Sequence, residues 1–272
     1  MTLVLFSSPP AVETGKFRAL LDSVQNRIAV LRSSATTGSG LERSMQQFRE
    51  ELALDLEPLE EWFSAAAPVL TEEKAFGPDR SLLTAPLLPD SHSRLLQIEW
   101  LGREINRLST PASAPDFTLP VLWLGDLVQA EVHRRVFLPY RRQAAAGTQR
   151  FECNNDEFNQ PARTAQALIS GWLESPVLLS LSDLGYCLLH LAGPKAPANA
   201  LKAFIVNALP DYADIFVANV FPQRLLRFIH TYLHPCLLAP VDADGFKRCQ
   251  DFLWREPSKL LFLITALQPV TS

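Results

Sequence analysis

Apolar positions recur at helical spacing almost from the start of the chain. Phe17, Leu21, Val24, Ile28 and Leu31 follow one another at intervals of four, three, four and three. This heptad-like seam predicts one face of an α-helix. The polar run SSATTGSG (33–40) predicts a flexible turn. Leu41, Met45, Phe48, Leu52 and Leu56 then take up helical spacing again, and Pro58 is expected to open a further turn as a first helical residue. The simplest reading of 12–64 is two antiparallel helices joined by a polar loop.

The pattern then breaks. Pro68 to Pro89 encloses Gly77-Pro78 and LLTAPLLPD, which predicts an extended connector. Ser91 or Ser93 is expected to cap LLQIEWLGREINRL. STPASAPD (109–116) reads as a second linker, with Asp116 capping LPVLWLGDLVQAEVHRRVF and Pro139 stopping or kinking it. From 155 onward, prolines at 161, 176, 194, 197, 210, 222, 235, 240, 257 and 269 divide apolar segments of helical length. Proline is tolerated only in a helix's first turn, so each predicts a boundary. Two segments, VLLSLSDLGYCLLHLA and LLFLITAL, are apolar nearly all round and are expected inside the fold or under a partner.

Strand signals are confined to Leu3–Phe6. The expected fold is therefore all-α. Residues 1–70 are expected to form a helical hairpin, 71–115 a proline-rich crossover and helix, and 116–272 a bundle or HEAT-like stack of short helices. The three units are also compatible with one continuous domain. No side-chain repeat of fixed period marks a true array.

Composition agrees with a large core. Hydrophobic residues make up 47% of the 272, charged residues 20%, and mean hydropathy is +0.05, which leaves apolar surface for a partner to cover. The net charge of −4 and pI of about 5.8 set a generic nucleic-acid binder back. Cys153, Cys187, Cys236 and Cys249 show no CxxC spacing and fit free thiols. MTLVLFSSPP lacks the basic start of a signal peptide, and no run approaches a membrane span. The expected location is cytoplasmic.

Candidate chemistry centres on FIHTYLHPC. His230 and His234 have helical spacing, and Cys236, Asp242, Asp244 and Cys249 are near enough in sequence to complete a metal site. The order matches no structural zinc spacing, and Thr231 stands where H-E-x-x-H needs its glutamate. The plainer reading makes Leu226, Ile229, Leu233 and His230 a core stripe and puts His234 in the last turn, which Pro235 ends. G-x-S-x-G, G-x-x-x-x-G-K-[ST] and G-x-G-x-x-G are absent. Cys187 and His190 lie one turn apart, but in an apolar segment that suits an inert thiol. Glu131 and His133 lack the Glu-x-x-His spacing of helical carboxylate enzymes. Glu60-Glu61 and Glu72-Glu73 read as solvated pairs. No cofactor is implied.

Charge placement says more than the motifs. Between Arg49 and Lys74 lie eight acidic residues, Glu57, Glu60 and Glu61 among them, with no base. Between His133 and Arg150 lie Arg134, Arg135, Arg141, Arg142 and Arg150 with no acid, and Phe137 and Tyr140 are interleaved. One reading makes these an acidic partner-binding helix and a basic anchor patch. The other has the two segments face each other or simply face solvent. FECNNDEFNQP (151–161) is a polar loop and a secondary contact candidate. The leading expectation is a non-catalytic adaptor or scaffold subunit that binds one or more proteins, in a hetero-complex or a homo-oligomer. The alternatives are a metal-dependent helical-bundle enzyme using His230 and His234, and a nucleic-acid-associated subunit using Arg134 to Arg150.

Overall fold

The computed structural model describes residues 11–34, 41–66, 87–108, 114–146, 158–175, 179–209, 211–255 and 260–267. The expected strand at Leu3–Phe6, the connector from Pro68 to 86, Glu72, Glu73, Arg150 and the loop residues 151–157 lie outside them. The described residues are all-α, with no strand among them.

The helices are α1 (Ala11–Ser34), α2 (Leu41–Ala66), α3 (Pro89–Leu108), α4 (Thr118–Val132), α5 (Leu138–Ala145), α6 (Gln160–Glu174), α7 (Leu181–Cys187), α8 (Ala200–Ala208), α9 (Phe221–Phe228), α10 (His234–Cys236), α11 (Ala243–Gln250) and α12 (Leu260–Ala266). Among the described residues five π-helical stretches adjoin them: His133–Phe137, Leu188–Ala192, Ala213–Ala218, Ile229–Leu233 and Asp251–Arg255.

The seam of α1 is consumed inside the molecule. Phe17, Leu21, Val24, Ile28 and Leu31 are all buried, with Phe48, Leu52, Leu59 and Phe63 of α2. Phe17 meets Trp62 and Phe63 near the end of α2, while Arg27 pairs with Glu51 and Asp55 further back. The aromatic cluster then continues to Trp100 of α3 and Trp123 of α4. Pro58 opens no new turn, since α2 runs through it to Ala66.

α4 is the centre. Thirteen of its fifteen residues are buried, and Asp126 and Ala130, four residues apart, are half-buried. Its neighbours lie on several sides. Trp123 packs on Phe63, and the Gln129 side-chain amide donates to the Leu179 carbonyl at 2.8 Å. At Gly125 an added Cβ would stand 2.9 Å from the Leu233 side chain and 3.2 Å from the Arg49 guanidinium. The glycine is there for space, because its backbone has no positive φ.

Several helix ends differ from the sequence expectation. α3 begins at Pro89, so Ser91 is a buried residue inside it rather than a cap. Asp116 does not cap α4. Its Oδ1 accepts from the Thr118 amide and hydroxyl and from the Val241 amide, while Oδ2 pairs with Arg32 of α1. It therefore ties three segments together at the start of the central helix. α7 starts only at Leu181, where Ser180 and Asp183 form a reciprocal capping box. Asn159, Asn199 and Asp242 cap α6, α8 and α11.

Pro161 and Pro222 stand in the first turns of α6 and α9, as expected, but Pro139 and Pro235 do not end helices. Pro139 neither stops nor separates α4 from α5, because the helical run passes through His133–Phe137 and continues to Ala145. Pro235 likewise sits inside α10, just after Ile229–Leu233. In four of the five cases a proline stands two residues after the π stretch, at 139, 194, 235 and 257. A proline has no N–H to donate and its ring presses on the carbonyl four residues back. At Pro139 and Pro235, where the helix continues, widening the preceding turn to π geometry relieves that clash.

Candidate functional site

His230 and His234 do come together. Their Nδ1 atoms are 3.3 Å apart and their rings stand at 77°. His230 is exposed, whereas His234 is buried. Ile229 and Leu233 of the expected core stripe are buried and Leu226 packs half-buried on the core, while His230 leaves the stripe. The π stretch at Ile229–Leu233 carries one residue more than an α-turn, so positions after it rotate by about 100° from a 3.6-residue period. That rotation turns His234 inward. Its Nε2 is buried with no hydrogen-bond partner. A bare lone pair there costs less than an unmet N–H. One ring donates its Nδ1–H to the Nδ1 of the other. Burial, then the neighbouring His230, lowers the proton affinity of His234.

The candidate metal ligands are engaged with one another and with the backbone. Each Nδ1 is occupied by the other ring. The Cys236 thiol donates to the Leu233 carbonyl at 2.9 Å, and burial pushes its pKa up to about 12. Cys249 is fully buried and its thiol is raised well above the ordinary range, first by burial and then by Cys236. Asp242 caps α11 through the Gly245 amide at 2.6 Å. No group of three His, Cys, Asp or Glu side chains converges to hold a metal among the described residues.

The other chemical candidates are also packed away. Cys187 is buried against the Ala165 carbonyl, with its pKa pushed up to about 12 by burial and then by Asp183. His190 lies on the Tyr186 ring. Glu131 is fully buried and pairs with Arg135, and it also accepts the Leu88 amide at 3.0 Å. His133 sets its ring against Trp172.

The two charge segments separate sharply. In the basic one, Arg135 is buried between Glu131 and the Thr265 carbonyl. Phe137 is buried against Trp172, and Tyr140 against Phe204. Arg141 lies over the Trp172 ring at 5.5 Å. These four belong to the fold, and among the described arginines of the segment Arg134 and Arg142 are exposed, Arg134 pairing with Asp90 of α3. In the acidic segment Glu60 reaches Arg94 of α3 at 2.6 Å, and Arg94 lies over Trp123. Both segments thus find a partner on α3. Glu57 and Glu61 stay exposed and pair with no described residue. Between them and Glu50 sits Leu54, 79% exposed.

Leu54 is the residue that the charge reading passed over. Its signal was present: Glu50, Leu54, Glu57 and Glu61 recur at intervals of four, three and four, opposite the buried Phe48, Leu52, Leu59 and Phe63. No protein-family model, curated protein or solved structure matches this chain.

Proposed function

We propose that the protein is a non-catalytic adaptor or scaffold subunit that binds another protein through the outward face of α2. The observation carrying this reading is the stripe Glu50, Leu54, Glu57, Glu61 on one helix face, with a leucine 79% exposed inside a row of carboxylates. A single exposed leucine is ordinary. Set among acids at helical spacing, it offers an apolar anchor and a charge pattern suited to a basic amphipathic helix. The burial of Arg135, Phe137 and Tyr140 moves the weight of the reading from the basic segment to this face.

The test is co-purification from the native source. The unmodified protein is compared with the Leu54→Asp, Glu57→Lys, Glu61→Lys triple variant and with an Arg134→Glu, Arg142→Glu variant. The reading predicts a stoichiometric partner that the triple variant loses and the arginine variant keeps. A partner retained by the triple variant contradicts it. Deleting the N-terminal helices is a poor substitute, because it strips Trp100 and Trp123 of their aromatic cover.

A further inference from the structure

A cleft of about 410 Å³ opens beside the histidine pair. Thr231 and Pro235, four residues apart, line it from the π stretch and α10, and Val121 reaches it from the buried centre of α4. The turn at 239–241 and the first turns of α11 complete it. Gly245 makes the α11 side open. A Cβ there would stand 3.0 Å from Asp242 Oδ1, 3.2 Å from Val241 Cγ1 and 3.7 Å from Arg248 Nη2. The backbone is ordinary helix at this position, so the glycine provides room. Arg248 lies across that room.

The chemistry of the lining is selective. The Arg248 side chain makes no hydrogen bond or ion pair with any described residue. Asp242, the other charged residue of the lining, spends Oδ1 on the Gly245 amide as the cap of α11. Asp242 keeps its charge with one oxygen held by that amide, so Arg248 is the charged group of the lining whose donors are all uncommitted, beside an apolar surface of Val121, Pro235 and Val241. The volume falls in the range of about 300–1,000 Å³ common for small-ligand sites. A planar guanidinium pairs with a carboxylate through two parallel hydrogen bonds. A dianionic phosphate would face the Asp242 carboxylate with no second cation in the lining to offset it.

We infer that this cleft binds a small carboxylic acid with an apolar chain, the carboxylate paired with Arg248 and the chain laid against Val121, Pro235 and Val241. Such a ligand site is distinct from the α2 face and does not depend on it. The test titrates octanoate into the full-length isotope-labelled protein and follows backbone amides by NMR, with 1-octanol and octylamine as neutral and cationic probes.

Octanoate should give saturable shifts at Thr231, Gly245 and Arg248, and the two other probes should bind there at least about ten-fold more weakly. Arg248→Gln, an exposed change, should weaken octanoate by about ten-fold or more while leaving the rest of the spectrum in place. Arg248→Lys keeps the charge without the fork and should fall between the two. Absence of saturable shifts at these amides, equal binding of octanol, or unchanged affinity in Arg248→Gln overturns the inference.

Discussion

α2 and α4 carry charge in opposite ways. On α2 the acids lie on a face that Phe48, Leu52, Leu59 and Phe63 leave to solvent, so charge marks surface. On α4 thirteen of fifteen residues are buried, and its Glu131 meets Arg135 of the following π stretch inside the core. A charge run in sequence is therefore ambiguous until the burial of its helix is known. Around a buried helix, charges must be paired and hydrogen-bonded to be tolerated. Glu131 meets that condition through Arg135 and the Leu88 amide.

The contrast is broken most severely at Glu131. Glu131→Ala leaves Arg135 buried without its carboxylate and should cost about 3–5 kcal/mol, enough to unfold a marginal protein; denaturant melts measure it. Gly125→Val pushes into Leu233 and Arg49 and should cost about 1–3 kcal/mol by the same assay. Among the described residues Val220 is the non-glycine residue with positive φ, at 46°, where a β-branched side chain is strained. Val220→Gly should raise stability by about 1 kcal/mol, seen as a higher denaturation midpoint.

Acid should act through the buried rings rather than the surface. Burial is the first cause of a lowered proton affinity at His133, His190 and His234. The unfolded chain takes up protons first as pH falls through about 6.5. The folded state lags, so stability is lost from there downward. Thermal melts should show Tm dropping between about pH 7 and pH 5, and His234→Gln should flatten part of that slope. A flat profile would contradict the buried pair. The smallest effect belongs to α2: Glu57→Lys or Glu61→Lys should shift stability by no more than about 0.5 kcal/mol, because neither carboxylate has a described partner.

Helical class, the seam of α1 and the Phe48–Leu52 part of the α2 seam were legible in sequence, since a 3.6-residue period writes burial directly into spacing. The central role of α4 was not. LPVLWLGDLVQAEV resembles its apolar neighbours, and only packing decides which helix lies inside. The prolines misled in a specific way. Read as boundaries, Pro58, Pro139 and Pro235 hid the continuity of α2, of α4 with α5, and of the run through His234. At Pro235 the π turn ahead of the proline keeps the helix and rotates the residues beyond it, so 3.6-residue counting put His230 in the core stripe and ended the helix at His234. Arg135, Phe137 and Tyr140 were named as contacts on charge and aromatic content, which say nothing of depth. Leu54 was visible in the spacing of Glu50, Glu57 and Glu61, but attention to charge passed over the apolar residue between them.

Carboxylate footprinting of the free protein and of its native complex tests the contrast most directly. The account predicts that Glu57 and Glu61 are labelled in the free protein and protected in the complex, with Glu131 unlabelled in both. Labelling of Glu131 in the free protein, or equal labelling of Glu57 and Glu61 in the two states, would contradict it.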